Sequence, residues 1–136
     1  MLSVKQLMSS VTRHVKASYQ VQTEEEFHAK VMGGDKPVAV KFTADWCGPC
    51  KMLSPRLDAA IAQAEDEVDL AVVDIDDLAD IAMEHDVHAI PTVIGVKNGQ
   101  IVDKFLGWKD EDQLASFENK IGDYRILQRS FWQQPV

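Results

Sequence analysis

Residues 45–51 read DWCGPCK, and they hold Cys47 and Cys50, the only two cysteines in a chain of 136 residues. Two thiols separated by two residues suit three chemistries: half of a metal site, a short disulfide staple, or reversible dithiol–disulfide exchange. A staple is not needed for stability, because 136 residues with 46% hydrophobic and 26% charged side chains can bury a core without cross-links. Secreted scaffolds held by disulfides also carry several more cysteines. A metal would require two further ligands. The one candidate pair, His85 and His88, is spaced more tightly than histidine ligands usually are and lies 35 residues beyond Cys50. Redox chemistry is the reading that the composition favours.

The flanks of the cysteine pair set its structural context. PVAVKFT at 37–43 reads as a buried strand, and PCKMLSPRLDAAIAQAE at 49–65 as a long helix, interrupted at Pro55 where a backbone donor is missing. The pair therefore sits where a strand ends and a helix begins. A helix N-terminus presents unpaired N–H groups and the positive end of its dipole, which stabilises a thiolate on Cys47. Cys50, one turn further in, is in reach of a mixed disulfide formed on Cys47, and Pro49 suits the first turn, where its missing donor is not required.

Further out, SYQVQ at 18–22 reads as a short strand, and Thr23 as the N-cap of the helix EEEFHAKVM, with Glu26 completing a capping box. DLAVVDI at 69–75 reads as a strand and LADIAMEHD at 78–86 as a short helix. PTVIGVK and QIVDKFLG read as two strands joined by a hairpin at Asn98-Gly99, followed by the helix EDQLASFENKI. This order predicts an α/β fold with a mixed central sheet flanked by helices on both faces.

Charge excludes one class of partner. The net charge is −8, no Lys or Arg occurs between residues 57 and 96, and ten acids lie from Glu65 to Asp86. Such a field repels phosphate backbones, so no nucleic-acid partner is expected. No apolar run approaches the ~18 residues of a membrane span, and no membrane partner is expected. The N-terminal MLSVKQLMSSVTRHVKAS, residues 1–18, is basic and acid-free, with Val4, Leu7, Met8, Val11 and Val15 at helical spacing. It has the composition of a mitochondrial transit peptide, the alternative being an amphipathic N-terminal helix. The expected location is the mitochondrial matrix, with the cytoplasm as the alternative.

FTADWCGPCKMLSP, VDIDD, VHAIPTV, KNGQIVDKFLG and KDEDQL together resemble the thioredoxins, the last three being nearest to the mitochondrial type. The likeness runs over residues 19–122, leaving 123–136 as a C-terminal extension rich in apolar side chains. The resemblance implies the thioredoxin fold and reduction of protein disulfides through a redox-active Cys47–Cys50 disulfide, with no bound cofactor or metal. It also implies re-reduction by thioredoxin reductase, through which NADPH is used indirectly, and disulfide-containing substrates such as peroxiredoxins. By the same resemblance Cys47 is the attacking thiol and Cys50 the resolving thiol. Trp46, Gly48, Pro49, Ile90, Pro91 and Gly107 form the active, substrate-binding surface, Pro91 being a cis-proline. His88, three residues before Pro91, is a candidate for assisting the thiolate.

Lys41 departs from the family pattern. The thioredoxins have an aspartate there, buried beneath the dithiol and assigned to proton transfer with the resolving cysteine, and a nearby family lysine is Val72 here. Lys41 is therefore a candidate for proton transfer or for tuning the thiols, against the plainer reading that it snorkels to the surface. The alternative function is a binding or chaperone module of the same fold with weak redox activity.

Overall fold

The computed structural model describes residues 17–63 and 68–122. Apart from Ala17 and Ser18, the segments 1–18 and 123–136 lie outside the described residues. In chain order the elements are β1 (Ser18–Gln20), α1 (Glu24–Phe27) running into a π-helical turn (His28–Met32), β2 (Val38–Thr43), α2 (Gly48–Gln63) and β3 (Asp69–Asp74). They continue with α3 (Ala79–Glu84), β4 (Thr92–Lys97), β5 (Gln100–Leu106) and α4 (Glu111–Ile121). The five strands form one sheet in the order β1-β3-β2-β4-β5. β1, β3 and β2 are parallel neighbours, whereas β4 is antiparallel to both β2 and β5.

Alternation along β2 divides the core in two. Val38, Val40 and Phe42 pack with Phe27, Val31 and Ile81 on the face covered by α1 and α3. Ala39 belongs to the opposite face, with Leu53, Leu57 and Ile61 of α2 and Leu114, Phe117 and Ile121 of α4. Both faces of β2 are thus covered, and its first five residues are all buried.

Local signals fix most boundaries. Thr23 Oγ1 accepts the N–H of Glu26 at 3.0 Å, but the Glu26 carboxylate accepts from Gln22 N–H at 3.3 Å, so only half of the expected box forms at Thr23 itself. A full capping box occurs at α4, where Asp110 and Gln113 exchange bonds of 2.8 and 3.1 Å. Asn98 and Gly99 both have positive φ, 52° and 73°, as the two-residue hairpin requires. Within this hairpin the register shifts between Gly95 and Val96, leaving Val102 as an extra residue on β5.

Two expectations are corrected. Pro55 does not interrupt α2, which runs unbroken from Gly48 to Gln63 with the proline inside it. Leu53 and Leu57, both fully buried on either side of Pro55, hold the helix to the sheet and outweigh one missing hydrogen bond. The first helix also does not keep α geometry throughout, since His28–Met32 widen to a π-helical turn that ends at Gly33.

Gly95 sets how closely α4 approaches β4. A Cβ built there would overlap Ile121 Cγ2 and lie 3.3 Å from the Phe117 ring. Gly95→Ala is therefore expected to destabilise the fold by about 1–3 kcal/mol, and Ile121→Ala in the same chain to recover part of that loss. Thermal melts of the two single variants and the double variant read the coupling; strictly additive losses would mean that the overlap relaxes elsewhere.

Candidate active site

The site is built on the turn between β2 and α2. Cys47 N–H donates to Ala44 O at 3.1 Å, closing the turn through Asp45 and Trp46, and α2 begins immediately afterwards. Cys47 and Cys50 are joined as a disulfide, with their Cα atoms 5.3 Å apart. The N–H of Cys50 donates to Cys47 Sγ at 3.2 Å, so the first helical turn directs a backbone donor onto that sulfur. Both cysteines are buried, at 3% and 1% relative exposure, against Ala44, Ile75 and Ile90. Exposure therefore does not single out Cys47 as the thiol nearest solvent. What distinguishes the two is position: Cys47 precedes the helix and Cys50 lies within it.

The surrounding residues come from four loops and the first turn of α2. Trp46 is 68% exposed, and its indole Nε1 donates to Asp76 Oδ2 at 3.0 Å. Asp76 is itself held by its N–H on Asp74 Oδ1 at 2.8 Å. Gly48 and Pro49 are exposed on the first turn of α2. Ile90 packs against the cysteines, and the Ile90-Pro91 peptide is cis. Gly107 N–H donates to Pro91 O at 2.9 Å, joining the end of β5 to the proline loop. Gly107 has φ of +80° with open space where a Cβ would lie, so backbone conformation rather than crowding calls for glycine here. Leu106 and Trp108 are exposed beside it, and the Arg56 guanidinium lies 4.8 Å over the Trp108 ring.

His88 is exposed on the loop that leads to Ile90, and no hydrogen bond or ring contact of its side chain occurs among the described residues. Among the described residues no group of three or more His, Cys, Asp or Glu side chains is placed to hold a metal ion.

Lys41 does not snorkel. Its side chain is only 7% exposed, and Nζ donates to Ser54 Oγ at 2.8 Å. Ser54 Oγ in turn donates to the Cys50 carbonyl oxygen at 2.9 Å, and Asp58 Oδ1 lies 4.0 Å from Nζ. Burial holds the Lys41 ammonium below the usual lysine range, and the Asp58 carboxylate offsets this only in part. Sequence reasoning missed Asp76, Ser54, Leu106 and Trp108. Of these Ser54 was detectable, since Cys50, Ser54 and Asp58 recur every fourth residue on one stripe of a helix.

A cysteine pair at the N-terminus of a helix that follows a central strand, packed against Ile75 and Ile90, is an arrangement suited to thiol–disulfide exchange. Comparison with known proteins agrees. The family model described as Thioredoxin matches residues 18–120. The mitochondrial thioredoxin of Rattus norvegicus is 48% identical over 110 residues, covering 81% of this chain and 66% of the rat protein. A thioredoxin of Staphylococcus aureus (strain MW2) is 39% identical over 98 residues, covering 72% of this chain and 92% of its own length. The crystal structure of a thioredoxin from Nicotiana alata is 31% identical, covers 79% of this chain and 95% of its own, and superposes with a TM-score of 0.70. The chain belongs to the thioredoxin family. It spans 66% of the length of the rat mitochondrial relative.

The lowered folded-state pKa of Lys41 carries a sign for stability. Below the folded value both states hold the proton and burying the charge carries its full cost; that cost shrinks as pH rises toward 10.5, the ordinary value for a lysine. Lys41→Met is therefore expected to melt at a higher temperature than the parent at neutral pH, with the gap narrowing as pH approaches 10.5. Melting curves of the two proteins across this range test it, and a gap independent of pH would assign the effect to packing.

Proposed function

We propose that this chain is a protein-disulfide reductase that cycles between a Cys47–Cys50 disulfide and a dithiol. The observation that carries this reading is the disulfide itself, seated on the first turn of α2 with a backbone N–H directed at Cys47 Sγ. In the reduced state the Cys47 thiolate attacks one sulfur of a substrate disulfide, forming a mixed disulfide and releasing the other substrate sulfur as a thiolate that takes up a proton. Cys50 then loses its proton and attacks Cys47 Sγ, expelling the second substrate thiolate and closing the Cys47–Cys50 bond. Two electrons pass to the substrate, and thioredoxin reductase restores them from NADPH.

Trp46, Gly48, Pro49, Ile90, Pro91 and Gly107 serve as the surface on which an extended substrate segment is laid across the cysteines. The exposure of Trp46 and the bond between Gly107 and Pro91 support that assignment. His88, exposed on the loop that leads to Ile90, is proposed as a group that assists the thiolate. Residues 19–122 form the catalytic domain, with residues 1–18 and 123–136 as flanking segments. Peroxiredoxins are among the proposed substrates. The mitochondrial matrix is the proposed location, supported by the likeness to mitochondrial thioredoxins of rat, cow and mouse and by the basic, acid-free composition of residues 1–18.

Insulin reduction with NADPH and thioredoxin reductase tests the cycle. Cys47→Ser is expected to reduce turnover to the uncatalysed background, while Cys50→Ser retains the first attack and accumulates a mixed disulfide visible on a non-reducing gel. Mixed disulfides trapped by Cys47→Ser instead would reverse the two roles. A parent chain that the reductase cannot reduce would leave the binding-module reading in its place.

A further inference from the structure

Lys41 is the buried cation that the exchange chemistry above does not use. It stands in the middle of a central strand, paired in register with Val72 of β3 on one side and Val93 of β4 on the other, so neither lateral neighbour brings charge to it. Above it lies the stripe of α2 formed by Cys50, Ser54 and Asp58. An ammonium nitrogen can only donate, so the hydrogen-bond chain runs in one sense: Lys41 Nζ to Ser54 Oγ, then Ser54 Oγ to the carbonyl of Cys50. The lysine is thereby held two hydrogen bonds from the backbone of the resolving cysteine.

The carboxylate that faces Lys41 offsets its charge only in part. Asp58, on α2, is the carboxylate facing the ammonium, but its side chain is 56% exposed, and water screens it far more than it screens a lysine that is 7% exposed. α4 packs Leu114, Phe117 and Ile121 over the same face of the sheet and also buries Glu118. The field that Lys41 adds has the same sign as the positive end of α2, whose first turn carries the sulfurs.

Reduction of a disulfide by two electrons and one proton gives one thiol and one thiolate. A cation beneath the helix stabilises that anion and leaves the neutral disulfide unaffected. We infer that Lys41 is a positioning residue that sets the redox poise of the dithiol: held by Ser54 under Cys50, its charge shifts the disulfide–dithiol equilibrium toward the reduced, thiolate-bearing form. Linkage makes the effect reciprocal, so formation of the thiolate strengthens proton binding at Lys41, and loss of that proton at higher pH weakens the thiolate. This rests on the Cys47–Cys50 cycle proposed above but needs neither reductase nor protein substrate, so the two can fail separately.

The test is equilibration of the full chain with mixtures of reduced and oxidised glutathione over a range of pH. Two glutathione thiols become one glutathione disulfide as the protein takes two electrons and one of the two released protons. Lys41→Met and Lys41→Gln, the second keeping an N–H donor for Ser54, are each expected to move the equilibrium toward the protein disulfide by about tenfold, or ~30 mV for two electrons. Both are also expected to raise the pH at which the ultraviolet absorbance of the thiolate develops. Lys41→Arg and Ser54→Ala keep the charge and are expected to stay within about twofold of the parent. An unchanged equilibrium in Lys41→Gln, or a tenfold shift in Ser54→Ala beside an unshifted Lys41→Gln, would overturn the proposal, the latter by assigning the effect to the hydrogen bond. If Lys41→Met does not fold, the Gln and Arg variants decide the matter.

Discussion

The packing of Leu53, Leu57 and Ile61 against Ala39, Leu70 and Val93 is the interaction on which the rest of the molecule depends. Each of the three α2 side chains contributes roughly 1.5–3 kcal/mol by leaving water. Together they decide where the helix begins in space, and the helix start is where the sulfurs are. The pair sits at the end of β2 because the chain has only the short turn at Asp45 and Trp46 in which to leave the sheet. A helix seated a turn away would point its unpaired N–H groups at solvent instead of at Cys47 Sγ.

Around that fixed point the rim is assembled by bonds between residues far apart in sequence. Asp74 steadies Asp76, which holds the Trp46 indole, and Gly107 holds the carbonyl of Pro91. The Trp46–Asp76 and Gly107–Pro91 bonds each tie one loop to another across the end of the sheet, so the surface is an assembly of loop ends and owes its order to the strands beneath them. Ile75 and Ile90 close over the cysteines from two of these loops, which is why a disulfide so near the surface is almost dry.

Much of this was legible in the sequence, because the signals are local. Apolar periodicity gave the element order, Asn98-Gly99 gave the hairpin, and the resemblance of the cysteine stretch and its companion motifs to the thioredoxins gave the chemistry. What was not legible depends on tertiary context. Pro55 looks like an interruption until the burial of Leu53 and Leu57 is known. Thr23 announces a helix start correctly, but nothing local announces the π-helical turn over His28–Met32. Lys41 is the clearest case. Its alternation places it on the same face of β2 as Ala39, but only the covering of that face by α2 shows that its long side chain meets Ser54 and not water.

The extra residue on β5 bears on a property far from the sulfurs. β5 is an edge of the sheet, and an edge strand with a regular row of free N–H and C=O groups is a template for a second copy of the chain. Val102 breaks that regularity in the middle of the strand, and the charged Asp103 and Lys104 follow directly. The opposite edge, β1, is only three residues long. Strand pairing is thus discouraged at both borders of the sheet, and among the described residues self-association into stacked sheets finds no long, flat edge on which to start.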